Sequence, residues 1–229
     1  MKKLTATLCL TLAVLFGSEV RASDFLTGLE EYKKGNLGTA LRIWKPLAEQ
    51  GNADAQYNLG MMYKRGRVVQ RDFQKAVKWF ELASKNGSTE GTYNLAVAYH
   101  KGQHVEKNLE YALKLYHIAA WNGYADAEFQ VGNFAFQRKE YKSASNWYRL
   151  AAEQGHTEAQ QSLGASHHKG LGVLQDYVRA HMWGNIAASN ESEEGSKLLD
   201  LVTKQMTSAQ LEKAQDLARE CVRKKYKGC

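Results

Sequence analysis

Apolar residues return along this chain at the spacing of a helix face. Ala76, Trp79, Phe80 and Ala83 stand at i, i+3, i+4 and i+7, a single apolar stripe. Ahead of them, Leu59, Gly60 and Tyr63 mark another helix. Gly66 stands where that helix should end, because the residue past a helix terminus commonly needs a positive φ. Asp72 then occupies the start of the next helix, where a short polar side chain accepts from unpaired N–H groups. The segment 52–87 therefore predicts two antiparallel helices joined by a short loop.

The pattern repeats over residues 52–87, 88–123, 124–155 and 156–191. The anchor alanines Ala40, Ala76, Ala112, Ala144 and Ala180 advance by 36, 36, 32 and 36 residues, and the closing glycines Gly51, Gly87, Gly123 and Gly155 keep the same steps. Asn108 and Asp176 repeat the Asp72 position, and small residues recur at Gly60, Ala96, Gly132 and Gly164, where paired helices must approach closely. One hairpin cannot bury both of its apolar faces. Stacked hairpins share a continuous core, and three or more are needed. The expectation is an all-α solenoid of antiparallel helix pairs. A single proline, Pro46, in 229 residues agrees with helices rather than a turn-rich β fold.

The strings AQYNLGMMYKRG (55–66), DFQKAVKWFELA (72–83) and GLGV-x-x-D (170–176) resemble the Sel-one-like repeat, a relative of the tetratricopeptide repeat. The resemblance covers residues 52–191 as four units. Residues 24–51 resemble a shorter first unit, 124–155 lack four residues of the interhelix loop, and 192–229 resemble polar capping helices, the last N-capped by Ser208. The resemblance implies a right-handed superhelix whose first helices line a concave groove. Carried over position by position, it places Tyr57, Tyr93 and Phe129 in one column, which Gln161 ends. Met61 and Val97 form the next column, followed by Asn133 and Ala165. Lys64-Arg65, His100-Lys101 and His168-Lys169 form a third, interrupted by Phe136-Gln137. An acidic row, Asp54, Glu90, Asp126 and Glu158, precedes the aromatics by one turn. Aromatic anchors with charged flanks suit a peptide or protein partner. The competing reading is that the charges are solvated helix residues and that the rings pack between neighbouring units. Trp44, Trp79, Trp147 and Trp183 read as core, and Trp121, near a hairpin end, as partly exposed.

The first 22 residues change the picture of location. Lys2 and Lys3, the apolar run Leu8 to Phe16, and Val20-Arg21-Ala22 have the form of a secretory signal cleaved after Ala22. The alternative is an N-terminal membrane anchor, for which the run is short. A lipoprotein signal does not fit, since Cys9 lies inside the apolar run. Cleavage removes three cations and one anion, taking the net charge from +7 to +5. It also leaves Cys221 and Cys229, eight residues apart, in an oxidising compartment. One disulfide is expected, with two free thiols as the alternative. No internal apolar run reaches the ~18 residues that span a bilayer, so the mature form should carry no membrane span. With 10% aromatic residues and mixed charge, the composition excludes a disordered chain.

Candidate chemistry is sparse. Ser166-His167-His168-Lys169 matches the S-x-x-K pattern, but S-D-N and K-T-G are missing, and the string falls where other repeats read MMYKRG and AVAYHKG. His100 and His104 stand four apart, yet Gly102 should end the helix between them. His167 replaces the repeat's tyrosine and reads as core. The expectation is a non-catalytic scaffold or adaptor of the bacterial envelope, periplasmic or secreted. It should bind a protein or peptide and need no cofactor, metal or nucleic acid. The alternatives are a cell-wall hydrolase or β-lactam-binding enzyme, and a binder of an anionic envelope polymer, which a charge of +5 would favour.

Overall fold

The computed structural model describes residues 24–229, so the proposed signal segment lies outside the described residues. All elements among them are helical. The chain divides into two compact units, with the boundary between Ala112 and Leu113. In the first unit lie α1 (residues 24–33), α2 (Leu37–Glu49), α3 (Ala53–Arg65), α4 (Phe73–Lys85) and α5 (Thr89–Lys101). Helix α6 (Leu109–Trp121) crosses the boundary. The second unit continues with α7 (Ala125–Gln137), α8 (Tyr141–Ala152), α9 (Thr157–Lys169), α10 (Tyr177–Ser189), α11 (Glu193–Thr203) and α12 (Ser208–Arg223).

Local chemistry fixes the helix ends. Asn52, Ser88, His156 and Ser192 each accept from the backbone N–H three residues on, opening a first helix. Asp72, Asn108 and Asp176 do the same for second helices, as the sequence predicts. Gly66, Gly102 and Gly170 close α3, α5 and α9 in the left-handed conformation, with φ of 67°, 66° and 68°. The last helix departs from expectation. Its N-cap is Thr207, which forms a reciprocal capping box with Gln210, and Ser208 is already its first helical residue.

Three hairpins, α1–α2, α3–α4 and α7–α8, close by seating a ring over a glycine. A Cβ added at Gly60 would come 2.5 Å from the Phe80 ring, and one at Gly132 would come 2.7 Å from Tyr148. Gly28 of α1 lies under Trp44 in the same way, and Trp44 donates to the Phe25 carbonyl at 3.2 Å. The ring belongs to the fourth residue after the anchor alanine: Trp44, Phe80 and Tyr148 are buried. This corrects the reading of all four tryptophans as core. Trp79 and Trp147 stand one residue earlier, about 100° round the helix, and are only half-buried. Trp44 and Trp183 are buried, and Trp121 is 80% exposed. Around Trp183 the next position is Gly184, and α11 fills the space there: a Cβ on Gly184 would lie 3.4 Å from the Leu199 nitrogen.

Buried amides tie successive hairpins. Gln56 donates to the Ala48 carbonyl at 2.9 Å and accepts from Asn86 at 2.9 Å. Gln160 donates to Ala152 at 3.3 Å and accepts from Asn190 at 3.1 Å. At the matching place on α7 stands Glu128, buried and accepting from Gln154 at 2.8 Å.

Candidate functional site

The sequence-predicted partner-binding residues all lie on first helices, α3 and α5 in the first unit and α7 and α9 in the second. In the first unit, Tyr57, Met61, Lys64 and Arg65 project from α3, and Tyr93, Val97, His100 and Lys101 from α5. Tyr57, Met61, Tyr93, Val97 and His100 are half-buried, while Arg65 and Lys101 are exposed. The Tyr57 ring leans on Phe80 with centroids 6.2 Å apart, so it is not detached from the core. Lys64 is held by a residue outside the three columns: its ammonium donates to the Asn94 amide oxygen at 2.9 Å, and the Asn94 amide donates to the Glu90 carbonyl. The recurring Tyr-Asn-Leu at 57–59 and 93–95 was the available signal. Arg65 reaches back to the Tyr32 hydroxyl at 3.4 Å.

Like charges face one another across α3 and α5. Burial, and then the neighbouring Glu90 charge, push the Asp54 carboxyl upward and raise the Tyr57 phenol as well. At the other end, burial followed by the Arg65 and Lys101 charges pulls Lys64 downward, and burial followed by Lys107 and Lys101 lowers His100. Asp54 and Lys64 are ten residues apart, about 15 Å along the helix. The face thus has an acidic end, an aromatic middle and a basic end. Each sign also complements the dipole of its own helix.

The second unit builds the corresponding face differently. Phe129 packs against Tyr148, with centroids 5.8 Å apart, and against His156 at 4.6 Å. His156 caps α9 through Nδ1, and its Nε2 lies 3.2 Å from Asp126, whose carboxyl this hydrogen bond pulls below its usual range. Asn133 accepts from the Tyr148 hydroxyl at 2.9 Å, and burial pushes that phenol up to about 12. Phe136 is exposed and meets Tyr141 edge-on at 5.3 Å. His168 lies 5.9 Å from the Tyr177 ring, and Lys169 is exposed. His156 carries none of the repeat's column positions, and no pattern within its own segment predicts that it joins Asp126 to Phe129.

The remaining candidates separate. Ser166 is buried, and its hydroxyl donates to the Ser162 carbonyl at 2.9 Å, while Lys169 lies on the surface. His167 is buried, and burial lowers its imidazole. His104 lies past Gly102 and stacks on Phe73 at 4.7 Å. Among the described residues, no group of three or more His, Cys, Asp or Glu could hold a metal ion, and no helix is long and apolar enough to cross a membrane. The sulfurs of Cys221 and Cys229 lie 2.10 Å apart. Beyond α12, Tyr226 packs over Gly155, and Arg179 donates to the Cys229 carbonyl at 2.9 Å.

Comparisons with known proteins agree on this architecture. The family model for the Sel1 repeat matches residues 53–88, 89–124, 125–156 and 157–192. The crystal structure of a Sel1 repeat protein from Oxalobacter formigenes is 32% identical, with a TM-score of 0.69 over 76% of this chain and 73% of that one. A protective antigen present in uropathogenic Escherichia coli strains, displaying an SLR fold, is 29% identical, with a TM-score of 0.54 over 82% of this chain and 49% of that one. No curated protein matches.

Proposed function

Given that the chain belongs to the Sel1 repeat family, a family of protein–protein interaction modules, we propose that it is a non-catalytic adaptor of the bacterial envelope that binds a peptide or protein segment on its first-helix faces. The observation that carries this reading is the α3–α5 face, where half-buried Tyr57 and Tyr93 lie between like-charged pairs. Like charges held together and partly desolvated gain from a partner that brings the opposite sign. On the second unit, Phe129, Asn133, Phe136, His168 and Lys169 extend the candidate set. The signal-like residues 1–22 and the Cys221–Cys229 pairing favour a periplasmic or secreted location.

Affinity capture from an envelope extract tests the reading, with the purified chain and its Tyr57→Ala and Tyr93→Ala variants compared side by side. A protein retained by the parent chain and lost from variants that melt normally is the expected result. Equal retention by all three chains overturns it. A ligand released from the parent chain above about 0.2 M salt, with no dependence on the tyrosines, would instead be an anionic polymer on the Lys64, Arg65 and Lys101 cluster.

A further inference from the structure

The second helices of the four full repeats carry an apolar row of their own, six residues after Ala76, Ala112, Ala144 and Ala180. Its members are Leu82, Ile118, Leu150 and Ile186. In the second unit Ile186 is 2% exposed, because α12 lies across α10 and sets Ala218 and Val222 beside it. In the same unit Ile118 is 54% exposed and Leu150 38%, with Trp121 protruding next to Ile118 on the following turn of α6. The rings of His117 and Trp147, 5.8 Å apart, hold the α6 and α8 faces side by side. The seat occupied by α12 thus continues, in register, onto a neighbouring surface that nothing in the chain covers among the described residues. An apolar cluster led by so exposed a tryptophan is costly to leave in water and marks an interaction site.

The resident helix shows what such a seat accepts. Helix α12 buries Ala214, Ala218 and Cys221, small side chains at i, i+4 and i+7, with Leu217 half-buried between them against the same core. Small side chains on the docking helix leave room for bulky ones projecting from the seat, the condition for two helix surfaces to interlock. On the α6–α8 face the bulky side chains are Ile118, Trp121, Trp147 and Leu150. The α12 stripe of a second copy is itself buried, so another copy of the folded chain does not offer it. We propose that the α6–α8 face of the second unit docks an amphipathic helix of a partner protein, with alanine-sized residues along its apolar stripe. This site is separate from the first-helix faces and does not depend on them.

A synthetic peptide of residues 208–223 carrying Cys221→Ala serves as the probe, because it has the small-residue stripe by construction. Added to the purified chain, it should bind saturably and shift tryptophan emission to shorter wavelength as Trp121 is covered. Ile118→Glu combined with Leu150→Glu should weaken that binding by about tenfold or more, and Tyr57→Ala should leave it unchanged. Should the double variant fail to fold, Trp121→Ser read by calorimetry replaces it, with the same loss expected. Absence of saturable binding overturns the proposal. So does binding that neither Ile118→Glu/Leu150→Glu nor Trp121→Ser alters, since the peptide would then have taken α12's own seat. Self-association of the chain that Ile118→Glu abolishes would assign the face to a second copy and also overturn it.

Discussion

The α3–α5 face and the α7–α9 face come from the same repeat position and differ in how far each satisfies itself. On α7 and α9, Asp126 has His156 at 3.2 Å, Phe129 has the same imidazole beneath it, and Asn133 accepts from Tyr148. On α3 and α5, the charge bearing on Asp54 is Glu90, and the charges bearing on Lys64 are Arg65 and Lys101. Asp126, Phe129 and Asn133 of one face are engaged by residues of their own chain, whereas the other face concentrates like charge at both ends. Equivalent positions in a repeat share a backbone environment without sharing a role, and the imbalance on α3–α5 makes it the better candidate for a ligand.

The largest perturbation breaks the scaffold beneath the comparison. Gly60→Leu drives a side chain into the Phe80 ring and should cost about 3 kcal/mol of stability in denaturant unfolding. Tyr57→Ala, on the same hairpin, should cost less than half as much. If the two variants melt alike, Tyr57 is structural and the first-unit face loses its anchor. A smaller effect comes from disrupting the α7–α9 face. His156→Ala removes a helix cap, the partner of Asp126 and the ring under Phe129, and should destabilise by about 1–2 kcal/mol. The Asp126 carboxyl, followed by NMR titration, should then rise toward its ordinary range. If it stays low, His156 is not what engages Asp126.

Glu128 sharpens the comparison along the pH axis. Burial raises its carboxyl, with Gln154 and Lys227 opposing. A carboxyl raised in the fold favours its protonated form there, so its contribution to stability is fully present below the unfolded-state value. That contribution is lost as pH rises through the folded-state value. Glu128→Gln restores the amide found at Gln56 and Gln160. It should gain about 1 kcal/mol at pH 7 and flatten the fall of melting temperature as pH rises above the ordinary carboxylate range. An unchanged pH profile would remove Glu128 as its source. The smallest effect should be Lys101→Gln, which removes a charge bearing on Lys64 and a cation from the last turn of α5, so that stability changes by no more than a few tenths of a kcal/mol. The Lys64 ammonium, followed by NMR titration, should rise toward its ordinary range, and an unchanged titration would mean that Lys64 and Lys101 are not in electrostatic contact.

What the sequence makes legible follows the range of the interaction. Asp72, Asn108 and Asp176 cap helices three residues away, and Gly66, Gly102 and Gly170 meet a local need for positive φ, so each is readable from its own segment. Thr207 and Ser208 are both competent caps, and only the Gln210 reciprocal bond decides between them. Trp79 and Phe80 both lie within a helix stripe, and the choice of core residue depends on where Gly60 stands in the facing helix. The bond from Lys64 to Asn94 spans 30 residues and His156 meets Asp126 from another helix. Such pairings depend on how hairpins stack, and no local pattern encodes that.

The glycines under the rings carry a consequence for how this sequence can drift over generations. Gly28 with Trp44, Gly60 with Phe80 and Gly132 with Tyr148 are each two halves of one volume. At these three glycines a larger residue requires the ring to shift or shrink, the repeat at 88–123 having Ala96 with Tyr116 instead, and a ring once lost leaves a void that favours a larger residue below it. Each pair should therefore be inherited together or exchanged together. Gly60→Ala, harmful alone, should be partly rescued by Phe80→Leu, and a double-mutant cycle would show the coupling.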